Sequence, residues 1–229
     1  MRPAPWSSGR AGTDPAATFR SAVEAFEAGV ETQRRERPEL VFDSQPPPRR
    51  LAPYAAAIGA TVPAAGVHGR PAGGPDPGAD SDVAWGSLVM LYDPAGQPGW
   101  AGPFRIVAYV RAELEPEIAA DPLIGQVGWT WLTEALDART IGYREISGTI
   151  TRVVTEGFGA KHSEPVATGF ELRASWSPAW PAGPAPERAP AGLCGHVAAW
   201  CDALCAASGL PPLPAGVRPL QPQRSRRQP

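Results

Sequence analysis

Two stretches of alternating apolar and polar residues constrain the fold of this chain more than any other feature. Within residues 104–114 every second side chain is apolar, and Arg105, Tyr109 and Arg111 stand at positions between them. Residues 166–176 repeat this pattern more cleanly. Because successive side chains of a β-strand point to opposite faces of the sheet, each stretch predicts a strand with one buried face.

Each of these strands is predicted to pair with a strand that precedes it in the chain. Residues 87–93 are apolar on both faces, as is typical of an interior strand, and a glycine-rich loop follows them. Before the second stretch, a further strand with Gly148 as a candidate bulge is indicated by apolar side chains on one side, namely Ile146, Ile150 and Val154. The pattern therefore predicts two antiparallel hairpins.

Three amphipathic helices are predicted around the hairpins. Asp14 followed by Pro15 is typical of a helix start, and Gly209 is typical of a Schellman end. A central helix is predicted over residues 126–139, after a short helical turn at 115–121. The apolar faces of the N-terminal, central and C-terminal helices consist, in that order, of Phe19, Val23, Phe26 and Val30, of Trp129, Leu132 and Leu136, and of Leu193, Val197, Trp200 and Leu204.

These elements predict an α+β fold in which a single antiparallel β-sheet packs against the three helices. The sheet comprises the two hairpins plus a candidate edge strand at residues 39–43, and the conformation of residues 44–62 stays open. One domain is predicted over residues 14–210. Segments rich in proline and glycine are predicted to be disordered or flexible, namely the termini 1–13 and 211–229, an insertion at 63–82 and a linker at 177–190.

The composition argues against some classes of function. The 229 residues carry a net charge of −2, which argues against a broad surface for polyanions. No apolar run approaches the roughly 20 residues that span a bilayer, and the N-terminus lacks the apolar stretch of a signal peptide. A cytoplasmic protein is therefore expected.

The three cysteines of the chain raise the question of a metal site. Cys194, Cys201 and Cys205 share one face of an ideal helix, but His196 points to the opposite side. Their spacing also lacks the close C-x-x-C pairs of zinc sites. They are therefore predicted to be buried thiols that widen the apolar face, and neither a metal nor a cofactor is expected.

Two glycine-containing segments resemble phosphate or nucleic-acid motifs. Residues 157–163 lack the spacing of a phosphate loop, so a hairpin turn is predicted there. Residues 124–132 resemble the GXXG run of KH domains, which clamps a nucleic-acid backbone between two helices, although a simple helix start is the favoured interpretation. Nucleic-acid binding is kept as an alternative because arginines cluster in the first part of the chain, at Arg34, Arg35, Arg37, Arg49 and Arg50.

Acidic residues suggest a further alternative, a metal-dependent enzyme. Glu113 and Glu115 lie at the end of one predicted strand, and Asp93 ends its neighbour. The sequence places no histidine or nucleophile beside them, and helix capping is the favoured role for acids at such a junction. We therefore predict no catalytic residue.

The polar face of the sheet is the candidate partner-binding surface. If the strands lie in one sheet, Tyr109, Arg111 and Arg173 share a face, and Trp100 in the hairpin loop overhangs one end. Such side chains are enriched where proteins bind one another, so an unknown protein partner or a homodimer is expected. The alternative interpretation of the sheet face is a solvated surface with cross-strand Arg–Glu pairs. The alternative for Trp100 is that its side chain folds back over its own hairpin.

The run GSLVMLYDPAGQPGWAGPFRIVAYVRAEL, with the later GTITRVVTEGFG and FELRASW, resembles an uncharacterised actinobacterial family, domain of unknown function 3000. The similarity extends to RRLAPYAAAIGATV upstream and WCDALCAASGLPP downstream. The family has no assigned activity, so the resemblance implies no cofactor or catalytic residue. Its members tend to be encoded near a ribonuclease D-like exonuclease, which suggests a link to nucleic acid.

The order of the predicted elements is similar to the type III secretion chaperone-like (YbjN-type) fold. Proteins of that fold are dimeric peptide-binding or regulatory modules. We therefore expect a non-enzymatic binding, adaptor or chaperone-like protein. A nucleic-acid-associated accessory factor, binding RNA or a ribonuclease, and a metal-dependent enzyme are the alternatives.

Overall fold

The computed structural model describes residues 14–64, 82–140, 142–179 and 192–210. Helices and strands follow one another in the order α1 (Pro15–Glu36), β1 (Val41–Ser44), β2 (Tyr54–Pro63), β3 (Asp82–Tyr92), β4 (Phe104–Glu113), α2 (Pro116–Ala120), α3 (Ile124–Arg139), β5 (Tyr143–Thr155), β6 (Ala167–Pro178) and α4 (Leu193–Ala207).

The strands form one six-stranded antiparallel sheet in the order β1-β2-β3-β4-β6-β5. The hairpins β3–β4 and β5–β6 are the two that the alternating pattern predicted. Helices α2 and α3 connect the first hairpin to the second. The last strand of the second hairpin, β6, pairs with β4, so β5 lies on the outer side of β6. The predicted α+β class is confirmed, and β1 is the predicted edge strand.

The segment whose conformation the sequence left open forms β2. Its alanines have little intrinsic preference for a strand, so pairing decides the conformation. β2 lies between β1 and β3, with Val41 opposite Thr61 and Tyr54 opposite Tyr92. Tertiary pairing thus adds a strand that local pattern does not show.

Helices α1, α3 and α4 pack on one face of the sheet. α4 lies in the middle of this layer, against both other helices and against β3, β4 and β6. Its Trp200 is fully buried, and the indole Nε1 donates a hydrogen bond to the carbonyl oxygen of Tyr109 on β4 at 3.2 Å. Gly86 makes this approach possible, because a Cβ there would lie 3.2 Å from the Trp200 ring.

The core consists of the side chains that the alternation and the helical stripes predicted. Ile150 and Trp129 are partly buried at its border. The fully buried members of the predicted set are Phe104, Ile106, Val110, Phe170, Leu172, Leu132, Val197 and Trp200. One apolar sheet face therefore meets one apolar helix layer, as two-layer packing requires.

The predicted ends of the first and last helices are confirmed. Asp14 accepts a hydrogen bond from the backbone N–H of Ala16 at 3.0 Å and caps α1, with Pro15 in the first turn. After α4, Gly209 has φ +78°, and the N–H of Leu210 donates to the carbonyl oxygen of Cys205 at 2.9 Å. This is the bond pattern of a Schellman motif.

The sequence suggested a bulge at Gly148, but the bulge in β5 lies at another position. The register shifts between Arg144 and Ser147, and Glu145 there has φ +51°. Gly148 instead stands in regular register and has a packing role, because a Cβ on it would lie 2.7 Å from the ring of Trp129. Val154, predicted on the apolar side, is 60% exposed.

Three predicted boundaries also shift. Pro63 and Asp82, assigned to the flexible insertion, belong to strands β2 and β3, and β6 continues through Pro178 into the predicted linker. Ser177 and Pro178 are buried in the sheet. Residues 65–81 of the insertion and 180–190 of the linker, like the termini 1–13 and 211–229, lie outside the described residues.

Candidate interaction surface

The second face of the sheet carries the predicted partner-binding residues. We call it the open face, because α1, α3 and α4 all pack on the other side. Tyr109 and Arg111 on β4 point to it, as does Arg173 on β6. The structure thus places these three predicted residues on adjacent strands of one surface.

Tyr109 and Arg173 lie directly opposite each other in the β4–β6 register. The guanidinium carbon of Arg173 lies 5.4 Å from the centre of the Tyr109 ring, within the range of a cation–π contact. On the neighbouring strand β3, the ring of Trp85 lies 4.8 Å from that of Tyr109 at an interplanar angle of 44°. The three side chains form a row across β3, β4 and β6.

Trp85 is the residue of this surface that sequence reasoning missed. The predicted strand began at Ser87, so Trp85 was not placed on the sheet. Extending the strand two residues toward the N-terminus would have put it on the same face as Ser87. Its side chain faces the open side with 39% of its surface exposed, a large value for a tryptophan on a central strand.

Glu171 orders the charged part of the row. Its carboxylate pairs with Arg173 at 2.7 Å, and it stands opposite Arg111 in the register. Burial raises the pKa of Tyr109, and the nearby carboxylate of Glu171, hydrogen-bonded to the hydroxyl, adds to the effect. Tyr109 therefore stays a neutral phenol, and its hydroxyl serves as a donor.

Arg105 also faces the open side, but it is not solvated as the sequence suggested. It is only 8% exposed, and its guanidinium donates to Ser175 Oγ at 2.8 Å and to Ser177 Oγ at 3.4 Å. Burial lowers the pKa of Arg105. Arg105 thus joins β4 to β6 at one end of the open face and is a structural arginine.

Trp100 lies at that same end, away from the aromatic row. It is half-buried in the β3–β4 loop, whose next residue, Ala101, donates from its backbone N–H to Ser177 Oγ at 3.1 Å. Tyr109 is four residues further along β4 than Arg105, about 14 Å at the rise of a strand. Trp100 therefore overhangs one end of the open face, whereas the row of Trp85, Tyr109 and Arg173, with Arg111 beside it, forms the centre.

One of the arginines that suggested nucleic-acid binding does not belong to an exposed basic surface. Arg37 is buried and pairs with Asp202 at 2.7 Å and with Glu39 at 3.3 Å. Asp202 also pairs with Arg139 at 2.8 Å, so one carboxylate of α4 ties the ends of α1 and α3 together. Arg37 thus holds the helix layer together and is not available to a nucleic acid.

The GXXG segment is not a loop. Residues 125–128 form the first turn of α3, and Gly128 is buried against Phe170. This confirms the helix-start interpretation. The segment 157–163 contains a 3-10 turn, Gly159–Lys161, between the strands of a hairpin, with Gly159 at φ +65°, which confirms the predicted glycine-permitted turn.

The predicted acids are separated by the strand pairing. Asp93 pairs with Pro103 at one end of the β3–β4 hairpin, where its carboxylate accepts from the backbone N–H of Ala95. Glu113 ends β4 ten residues further on, about 34 Å away. Glu115 occupies the N-cap position of α2, but its side chain makes no capping bond, so the capping prediction is wrong for this residue.

The family described as "Protein of unknown function (DUF3000)" matches residues 15–218. The chain belongs to the DUF3000 family. No curated protein and no solved structure matched it, so the similarity of its element order to the type III secretion chaperone-like fold stays a prediction.

In this DUF3000 protein two of the three cysteines are buried, as predicted. Burial raises the pKa of Cys201 strongly and that of Cys205 to about 12, so both are protonated thiols. Cys194 is exposed, which corrects the prediction, because it lies in the first turn of α4 with only its backbone close to α1. Among the described residues, no group of three or more His, Cys, Asp or Glu side chains has the arrangement of a metal site.

No helix of the described segments combines the length and apolar character needed to cross a bilayer.

Proposed function

We propose that this protein is a non-enzymatic binding protein of the cytoplasm, an adaptor or chaperone-like factor that holds a partner protein on the open face of its sheet. The observation that carries the proposal is the exposed ring of Trp85, packed on Tyr109 beside Arg111 and Arg173. Tryptophan, tyrosine and arginine are the side chains most enriched at interface hot spots.

The row is ordered before any partner binds. Tyr109 lies between Trp85 and Arg173, and Arg173 is also held by Glu171. The backbone beneath Tyr109 is tied to α4 by the Trp200 hydrogen bond. A preordered surface loses less side-chain entropy on binding, which favours affinity.

The charge of the row indicates the chemistry of the partner. Arg173 already has a carboxylate, whereas Arg111 is exposed and has no ion pair within the residues that the structure describes. An arginine fork binds a carboxylate through two parallel hydrogen bonds. The partner segment is therefore expected to place an acidic side chain on Arg111 and an apolar one on Trp85.

Affinity capture from the native host, followed by mass spectrometry, tests the proposal. The open-face variant carries Trp85→Ala with Arg111→Ala, and the control carries Phe158→Ala with Arg20→Ala, a matched pair of exposed residues away from this face. Circular dichroism and the Tm report whether each variant is folded. Trp100→Ala is a third variant that reports whether the loop end takes part.

The proposal expects a protein that the wild type and the control capture and that the open-face variant loses while it stays folded. If the folded open-face variant captures every protein that the wild type captures, the row is a structural feature and the proposal is wrong. Retention by the control separates a loss at the open face from a general loss of surface contacts.

Single-stranded RNA is the second candidate ligand, because an exposed aromatic ring beside arginines on an antiparallel sheet can stack a base while the arginines contact phosphates. Trp85 with Arg111 has this arrangement. Anisotropy of a labelled single-stranded RNA across a salt series tests it. Binding that weakens steeply with salt and requires Trp85 supports this candidate, and no binding at low salt removes it.

A further inference from the structure

The two edges of the sheet are protected very differently. β1 has only four residues, and three prolines follow it at 46–48. Arg34 of α1 stacks on Phe42 and donates to its carbonyl oxygen at 3.4 Å. Short strands, prolines and covering side chains are the means by which proteins prevent an edge from pairing with another chain.

β5 forms the opposite edge and has 13 residues. Only β6 pairs with it among the strands that the structure describes, so one whole side of its backbone has no strand partner within the described residues. The bulge at Glu145 disturbs its first part, but from Ser147 to Thr155 it keeps an unbroken register with β6. Most of its side chains are exposed.

The regular part of β5 has the composition of a strand that pairs readily. Residues 147–155 contain Thr, Ile or Val at most positions, a single charge at Arg152, and neither proline nor lysine. β-branched side chains favour strands, whereas lysine and proline are the residues that block an edge. Apart from the charge of Arg152, this segment has none of the features that oppose the addition of a strand.

We infer that β5 is the interface of a homodimer, in which it pairs antiparallel with β5 of a second copy about a two-fold axis at Ile150. A two-fold interface must be self-complementary. The segment around Ile150 meets this requirement. Thr149 meets Thr151 of the second copy, Ser147 meets Val153, and Gly148 leaves space for Arg152. The two sheets then join into one continuous sheet.

The helix layer leaves room for this arrangement. α3 lies over the boundary between β6 and β5, because Gly128 contacts Phe170 of β6 and Trp129 contacts Gly148 of β5. With strands about 4.8 Å apart, the two α3 axes would lie about 10 Å apart across the two-fold axis, a normal distance for packed helices. Pairing of the edges therefore brings the two helix layers into contact without overlap.

Thr149 and Thr151 offer a charge test of this register. Both are exposed, and each copy's Thr149 would face the other copy's Thr151, giving two equivalent contacts. On the β6 side, Thr149 stands beside Arg173 and Thr151 beside Glu171. The blocking variant is Thr149→Lys with Thr151→Lys, and the complementary variant is Thr149→Glu with Thr151→Lys. Both add two charged side chains at the same positions.

Sedimentation equilibrium over a concentration series measures the dimer. The wild type is expected to dimerise, the blocking variant to raise the dissociation constant about tenfold or more, and the complementary variant to bind at least as tightly as the wild type, because directly opposed charges repel or attract across strands. Val41→Lys, a substitution of another exposed residue, on the β1 edge, is the control and should leave the dimer unchanged.

Three results would overturn the inference: a wild type that stays monomeric at every concentration, a blocking variant that dimerises as the wild type does, or a complementary variant as weak as the blocking one. Hydrogen exchange on the blocking variant confirms that the sheet is intact. Trp85→Ala with Arg111→Ala should leave the dimer unchanged, and its loss in that variant would assign the dimer to the open face instead.

Discussion

At the scale of single residues, His196 is an uncharged histidine in the interior of the protein. It is 1% exposed, and its Nδ1 accepts a hydrogen bond from the indole Nε1 of Trp176 at 3.1 Å. Burial lowers its pKa to about 4. Protonation of Nδ1 would remove the acceptor and place a charge between α4 and β6, so the fold requires the neutral form.

We predict that His196 makes stability depend on pH between about 6.5 and 4. In this window the unfolded chain binds a proton that the folded protein does not, so the free energy of unfolding falls as the pH falls. The full loss from this one group is about 3 kcal/mol. Urea unfolding of the wild type and of His196→Gln, which keeps an acceptor for Trp176, measures the difference in pH dependence.

His162 provides the matched control because it is exposed in the β5–β6 loop. His162→Gln should retain the pH dependence of the wild type, whereas His196→Gln should have a flatter profile. Equal profiles for the wild type and His196→Gln would show that another group is responsible.

At the scale of an element, the first turn of α3 contains two glycines with opposite surroundings. A Cβ on Gly125 would meet nothing within 4 Å. A Cβ on Gly128 would lie 2.5 Å from Cζ of Phe170, which is 1% exposed and cannot move aside. Glycine thus only lowers the stability of the helix at position 125, whereas at position 128 the packing against Phe170 requires it.

We predict that the substitutions to alanine have opposite signs. Gly125→Ala should raise the free energy of unfolding by up to about 1 kcal/mol, since alanine loses less backbone entropy in a helix. Gly128→Ala should lower it by about 1–3 kcal/mol, because the added methyl overpacks the core. Chemical unfolding of the two variants measures both changes, and a stabilising Gly128→Ala would contradict the close packing of α3 on β6.

At the scale of the whole molecule, the sheet has a rigid centre and a less protected end. β4 lies between β3 and β6 and under α4, and its inward side chains are almost completely buried. α2 and the β5–β6 loop lie at the border, where Ile118, Val154, Phe158 and Val166 are exposed. Cooperative stability should therefore concentrate in β3, β4, β6 and α4.

Hydrogen exchange of the intact protein should show this order. Amides of β4 and α4 are expected to exchange at the rate of global unfolding, whereas those of α2 and of residues 156–166 should exchange by local opening, faster by orders of magnitude. Exchange of α2 as slow as that of β4 would contradict this distribution of stability. The sequence also predicts fast exchange for residues 63–82, most of which lie outside the described segments.

Periodicity predicted much of the fold because it depends on local geometry. The alternation around Tyr109 and Leu172 indicated half-buried strands, and the stripe ending at Leu204 indicated α4. β2 escaped prediction because alanine has no strong preference of its own and the strand exists through its two neighbours. The bulge was misplaced for a related reason: glycine is compatible with a bulge, but the pairing with β6 decides where the extra residue lies.

Side-chain alternation along the chain is enough to place Tyr109, Arg111 and Arg173 on one polar surface. That Trp85 packs beside Tyr109, that Arg105 and Arg37 are buried, and that Asp93 and Glu113 lie far apart follows only from the fold. The two differ in the distance along the chain over which the determining contacts act. Side-chain alternation follows from neighbouring backbone dihedrals, whereas strand order, register and burial depend on contacts between residues distant in the chain.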